Sequence, residues 1–330
     1  MTEPVFNGTI EASSTLKVGL MILVAGSANL DFVVRAHHIP APGETVLGRE
    51  FQTFPGGKGA NQAVACARAG NASTRMLSAM GQDAFATPIE ASLSKAGVEL
   101  LTIWIADTPT GTAFICVSDG AENAITVAPG ANAYLQAQHL PPLSGVSHLM
   151  LQLETPMPTV AAYAETARVQ GVTVVLNAAP AQVLAPELLA LVDILIVNEG
   201  ELAAITQQDG NIAQRLQSLR VPTVVVTLGH LGSCARADGV FYFQPAFPVT
   251  PVDTTAAGDT FCGTLVAQLS GGHNLPAALR YASAASALTC TRAGAQSSIP
   301  QASEVSAFLA VHLDTSISAS TALRTYCGLN

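Results

Sequence analysis

The run Asp253-Thr-Thr-Ala-Ala-Gly-Asp259 places two carboxylates on either side of small residues, and Phe261, Leu265 and Leu269 follow at fourfold spacing. That spacing predicts an amphipathic helix over 259–269. A strand ending at Asp253, a turn of bare backbone and then this helix would converge the amides of Ala256, Ala257, Gly258 and Asp259 on one point. Such a point stabilises an anion or the charge developing on a transferring phosphoryl group. Asp259 has two readings there: a carboxylate that merely complements the helix dipole, or a general base for an attacking hydroxyl.

A second run, Phe54-Pro-Gly-Gly-Lys-Gly-Ala-Asn-Gln62, carries glycines at 56, 57 and 59 that let a ligand approach the backbone. Its spacing matches neither a Walker A loop nor the GxGxxG fingerprint. A helix-entry turn would explain the glycines, but Lys58 and Asn61 add directed donors that a turn does not require. Asn29-Leu-Asp31 follows an apolar run and a Gly26-Ser27 turn. Asp31 could accept two hydrogen bonds from vicinal hydroxyls or cap an Asx turn. Glu154 is either a third hydroxyl acceptor or the opening of a helix announced by Pro156 and Pro158. In Asn198-Glu-Gly-Glu201 a carboxylate could hold Mg²⁺ through water, or serve only as acid in a first helical turn. Thr227-Leu-Gly229-His-Leu-Gly232 offers glycines for a nucleotide ring or ribose. His37, His38 and His230 read as surface residues and the remaining histidines lack metal-ligand spacing. GxSxG and HExxH do not occur, which removes the chemistry of serine hydrolases and zinc peptidases.

To meet in one place these clusters need a scaffold, and the apolar periodicity predicts one. Buried strands are expected at 18–25, 75–80, 146–151, 172–177, 194–197 and 223–228, with helices at 60–69, 84–95, 158–169, 199–206, 212–219, 259–269 and 276–291. Continuous apolar strands alternating with helices imply an α/β fold, a mainly parallel sheet covered on both faces. Ligands of such sheets bind beyond the carboxyl ends of the strands, where each polar cluster falls. Segments 32–54 and 101–128 break the alternation and are expected to form a small β-sheet lid over the site. One α/β domain would span 17–313, with a flexible extension over 1–16 and a tail over 314–330.

The 330 residues are 49% hydrophobic and 11% charged, enough apolar content for a large core. A net charge of -9 supplies no general field for nucleic acid or an anionic membrane, so neither is expected as a partner. The apolar runs are too short and interrupted to span a bilayer. Residues 17–28 imitate a signal peptide but read better as a first buried strand. Six scattered cysteines without a CxxC pair point to a reducing cytoplasm.

At these residues the sequence resembles the ribokinase group of the PfkB family of carbohydrate and nucleoside kinases. The resemblance runs from about residue 18 to 308. It is carried by Gly26-Ser-Ala-Asn-Leu-Asp31, Pro42-Gly-Glu-Thr-Val46, Gly56-Gly-Lys-Gly-Ala-Asn61, Gln152-Leu-Glu154, Asn198-x-x-Glu201, Thr227-Leu-Gly229, Asp253 to Asp259 and Arg292-Ala-Gly-Ala-Gln296. It implies a ribokinase-like fold that transfers the γ-phosphoryl of ATP to the 5-hydroxyl of D-ribose, with a lid that pairs two subunits in a homodimer. By position, Asp259 would be the base and the amides of Ala256, Ala257, Gly258 and Asp259 the anion hole. Asn29, Asp31, Gly57, Lys58, Gly59, Asn61 and Glu154 would hold the sugar. Asn198, Thr227, Gly229, Gly232, Gly258 and Ser283 would face ATP, with Glu201 on Mg²⁺ through water. An activating potassium ion would take oxygens of Asp253, Thr255, Thr289, Arg292, Gly294 and Ser298. Thr255, Ala178 and Ser283 depart from the residues common in the family. The rival expectation is a family member acting on deoxyribose, fructose or a nucleoside.

Overall fold

A computed structural model describes residues 21–120, 122–312 and 317–329. The first part of the chain runs β1 (Met21–Ala25), β2 (Asn29–Arg35), β3 (Glu50–Gly56), α1 (Lys58–Arg68), β4 (Thr74–Gly81), α2 (Ala86–Lys95), β5 (Glu99–Ile105), β6 (Gly111–Val117) and β7 (Asn123–Ala128). It continues through β8 (Val146–Leu151), α3 (Met157–Val169), β9 (Thr173–Asn177), α4 (Pro186–Leu189), β10 (Ile194–Asn198), α5 (Glu199–Thr206), α6 (Ile212–Ser218) and β11 (Thr223–Thr227). The last part contains β12 (Gly232–Ala237), β13 (Val240–Pro245), α7 (Ala257–Ser270), α8 (Leu275–Cys290), α9 (Ala302–Val311) and α10 (Ile317–Tyr326).

The large sheet has the order β13-β12-β11-β10-β9-β8-β1-β4-β5. It is parallel from β11 to β5, and β12 and β13 extend it as an antiparallel hairpin. Alternate strand residues supply opposite faces, as strand geometry requires. Ile22 and Val24 of β1 pack with α1, α2, α7 and α8, while Leu23 and Ala25 belong to the core beneath α3, α5 and α6. A second sheet, β3-β2-β6-β7, stands over the first near the carboxyl ends of its strands. One of its faces carries Asn29, Asp31, Ile115 and Ile125 toward a cleft. On its other face Phe32 meets the rings of Phe51, Phe85 and Phe114 at centroid distances of 6.1, 5.3 and 5.4 Å.

Three expectations are corrected. Segment 101–105 is not a lid strand: it lies in β5, paired in parallel with β4 at the edge of the large sheet. An edge strand is half exposed, as Trp104 is, and its alternating pattern imitates that of a lid. No strand leads into Asp253. Pro248 and Pro251 interrupt that segment, and the Val252 and Asp253 amides donate instead to the Cys290 carbonyl at 2.8 and 3.2 Å. The tail expected over 314–330 contains a docked helix. Leu323 and Cys327, one turn apart, are buried, and the Cys327 carbonyl accepts the Ala213 amide at 2.9 Å. The Tyr326 hydroxyl donates to Glu199 at 3.0 Å. The extension expected over 1–16 lies outside the described residues.

Candidate active site

A cleft of about 570 Å³ opens between the lid and the large sheet, lined by Asn29, Asp31, Lys58, Asn61, Glu154 and Asp259 together with the turn 253–256. These residues come from β2, α1, the end of β8 and the start of α7. Ala256 caps α7 at φ 60°, a left-handed conformation that costs a β-carbon about 1 kcal/mol or more, and its carbonyl accepts the Thr260 amide at 2.8 Å. The first turn of any helix leaves its amides without intrahelical carbonyls, which exposes those of Gly258 and Asp259. The Ala257 amide is not bare as expected: it donates to the Thr254 carbonyl at 3.2 Å and closes the turn.

Asp259 accepts from Asn61 Nδ2 on Oδ2 and from Gln62 Nε2 on Oδ1, each at 2.9 Å. Burial pushes its pKa up, opposed by Lys58, Asn61 and Gln62 and assisted by Glu154. Burial works against the Lys58 charge, but Asp259, Glu154 and Glu201 outweigh it and raise the ammonium pKa. Asp31 is pushed up to about 7, first by burial and then by Glu154 and Asp259. Its Oδ1 and the Oδ1 of Asn61 are buried without a hydrogen-bond partner, two acceptors that suit a ligand rich in hydroxyls.

The glycines make these approaches possible. A β-carbon at Gly56 would lie 2.0 Å from Asp31 Oδ2, and Gly57 holds φ 87° at the entry to α1. Gly59 packs on the Gly26-Ser27 backbone with no room for a side chain, so its contribution is close approach of the chain. Glu154 does not open α3, whose N-cap is Pro156. Its Oε2 accepts the Ser27 hydroxyl at 2.6 Å and the Lys58 amide at 3.1 Å, which ties the glycine turn to the end of β8.

Asn198 and Glu201 form the capping box of α5: Asn198 Oδ1 accepts the Glu201 amide at 2.8 Å and Glu201 Oε2 accepts the Asn198 amide at 2.7 Å. Burial raises the Glu201 pKa against the pull of the Asn198 amide and Lys58, and one oxygen, Oε1, remains outside the box. A carboxylate so placed fits a hydrated Mg²⁺. Asn198, Glu201, Thr227, Gly229, Gly232 and Ser283 do not line the cleft. The Thr227 hydroxyl donates to the Val197 carbonyl at 3.4 Å, Gly229 turns at φ 57°, and Ser283 is buried in α8. Gly232 at φ 119° has a structural reason of its own, since a β-carbon there would lie 2.1 Å from the Gln244 carbonyl.

Asp253 accepts the Thr255 amide on Oδ1 and the Gly294 amide on Oδ2, both at 2.9 Å, and so joins the loops before α7 and after α8. Burial alone would raise its pKa, but these bonds hold it below the usual carboxylate range. The Thr289 carbonyl accepts the Arg292 amide at 3.2 Å, Arg292 pairs with Glu304, and the buried Ser298 hydroxyl donates to the Ala295 carbonyl at 2.7 Å. The donor set is oxygen throughout, which fits a hard cation.

Sequence reasoning missed residues behind this site. Asn132 pairs with both backbone groups of Ala28 and donates to Asn29 Oδ1 at 2.8 Å, which aims Asn29 into the cleft. Gln62, Gln152 and Asn177 form a buried amide chain behind Asp259.

The description of a pfkB family carbohydrate kinase matches residues 20–302. The chain belongs to this family. Its pfkB relatives include the ribokinase of Haemophilus influenzae, 38% identical over 87% of this chain and 98% of the relative. The ribokinase structure from Thermotoga maritima superimposes with a TM-score of 0.82 at 37% identity, covering 88% of this chain and 99% of its own. The Arabidopsis thaliana ribokinase complexed with ribose and ATP gives a TM-score of 0.80 at 30% identity over 88% and 98%. These matches leave part of the chain unpaired, and the pfkB match ends at 302, ahead of α10.

Proposed function

We propose that this sugar kinase transfers the γ-phosphoryl of ATP to the O5 hydroxyl of D-ribose, giving ribose 5-phosphate and ADP. One observation carries the reading: Asp259, clasped by Asn61 and Gln62 at the start of α7, shares a cleft with the unpartnered Asp31 acceptor. Asp31, Asn29, Asn61 and Lys58 orient the sugar. Asp259 accepts the O5 proton while O5 bonds to the γ-phosphorus and the bond to the bridging oxygen breaks, leaving ADP. The Gly258 and Asp259 amides, assisted by Ala256, meet the charge that develops on the phosphoryl oxygens. Asn198, Thr227, Gly229, Gly232 and Ser283 lie on the nucleotide side. Glu201 would hold Mg²⁺ through water, and the ion would supply charge neutralisation on the phosphates.

A potassium ion on Asp253, Thr255, Thr289, Arg292, Gly294 and Ser298 would brace the loop that carries the anion hole. Replacing potassium by sodium should lower turnover in the wild type, and Asp253→Ala should erase the difference; equal wild-type rates in the two salts exclude the site. A cytoplasmic setting supplies the ATP. A homodimer joined through the lid is supported by exposed apolar side chains there, Ile125 and Val127 among them. No helix among the described residues is long and apolar enough to cross a membrane.

The decisive experiment is a substrate panel with ATP. Ribose should show the highest kcat/KM; a higher value for deoxyribose, fructose or adenosine replaces ribose as the acceptor. Absence of ADP release with every sugar would leave a binding protein on a kinase fold.

A further inference from the structure

Behind the proposed base runs a chain of three buried side-chain amides, none of which lines the cleft: Asn177 at the end of β9, Gln62 on α1 and Gln152 just after β8. The orientation of each follows from the one before it. The Ile196 carbonyl of β10 can only accept, so Asn177 turns Nδ2 toward it and donates at 3.1 Å. Asn177 Oδ1 therefore faces the other way and accepts from Gln62 Nε2 at 2.9 Å. This places the Gln62 amide nitrogen inward, where its second N–H donates to Asp259 Oδ1 at 2.9 Å. Gln62 Oε1 is then left to accept from Gln152 Nε2 at 2.7 Å. Reversing Gln62 would set its oxygen against the Asp259 carboxylate and the Asn177 oxygen, and its nitrogen against the Gln152 donor.

From this geometry we infer that Gln62 is a positioning residue for Asp259: backed by Asn177 and Gln152, it pins Oδ1 and favours the carboxylate as the proton acceptor. The inference rests on Asp259 as the base of the proposed reaction. Asn61 holds the other oxygen and also lines the cleft, so it serves the base and the ligand together. Gln62 does not line the cleft and touches the proposed site only through Asp259. Its loss should therefore change turnover and leave sugar binding largely in place, and it should move the titration of Asp259 because a donor to the charged form has gone.

The experiment compares wild type with Gln62→Leu, and with Gln152→Met, which removes only the donor to Gln62 Oε1 and leaves Gln62 itself in place. For Gln62→Leu, kcat should fall about 10- to 100-fold with the sugar KM within about threefold, the scale of one lost hydrogen bond to a charged group. The acidic limb of kcat against pH should rise by about one unit. Gln152→Met should move both in the same direction by less, and decides the matter should Gln62→Leu fail to fold. The Asp259 carboxyl is titrated in parallel by ¹³C NMR without substrate, with Asp259→Asn used to assign its signal. An upward shift of that titration in the variants is expected. An unchanged titration and pH profile in a folded variant overturns the inference. So does a joint loss of kcat and KM with unchanged titration, which would mark a packing role. Because the titration needs no turnover, it tests the Gln62 contact even if Asp259→Asn proves active and the base assignment itself fails.

Discussion

Asp259 occupies a position where a helix-dipole carboxylate and a general base are indistinguishable by sequence, and its surroundings support the proposed base. A carboxylate that only complemented a helix would sit in water, whereas this one is partly buried in the cleft, paired with two amide donors and set near Lys58. Asp259→Asn should keep sugar binding and cut turnover by roughly two to four orders of magnitude, the usual loss for a general base. Steady-state rates alongside ribose calorimetry check this, and near-normal turnover refutes it. Asp31 makes a pH prediction. A carboxyl moved from 3.8 to about 7 on folding binds an extra proton between those values. The stability it contributes is thus full below 3.8 and is lost as pH rises to about 7. Sugar hydroxyls donate to the ionised form, so ribose affinity runs the opposite way. Binding should strengthen about tenfold from about pH 6 to about pH 8 in calorimetry, and Asp31→Asn should flatten the profile. A flat wild-type profile would deny Asp31 its role as acceptor.

Between the elements, the seam of α1 against α7 decides whether Asp259 meets its donors. Gly263 has no room for a β-carbon, which would lie 2.4 Å from the Gln62 carbonyl and 2.8 Å from Ala65 Cβ. Gly263→Ala should push α7 away, cost about 1–3 kcal/mol in urea unfolding and lower kcat by drawing Asp259 off Asn61 and Gln62. Unchanged stability and rate would show that the seam gives way freely. The main helices and parallel strands were legible because each rests on a local apolar period, and Lys58, Asn61 and Asp259 stand within compact motifs. Gln62 stood in the same motif unnoticed, for its partners lie 90 and 115 residues away and leave no local pattern. The spacing of Asn198 and Glu201 is also that of a capping box, which the structure displays. Helix α10 was missed because, among the described side chains of 318–329, only Leu323 and Cys327 are buried.

For the molecule as a whole, the lid is the least finished surface. Every residue of β7 is exposed, and Ile125 is 55% and Val127 41% accessible. Covering this edge with a second subunit would bury it. Sedimentation should find a dimer that Ile125→Lys converts to monomers with an intact core, and a monomeric wild type would exclude that assembly. The contacts between Asp259 and its two donors span 197 and 198 positions of sequence. A growing polypeptide therefore cannot join Asp259 to Asn61 and Gln62 until α7 has left the ribosome and come to rest on α1. By the same geometry, a chain severed in a surface loop between them, such as 207–210, yields two pieces that are inert alone. Renewed ADP formation on mixing them would report that the pieces had found each other.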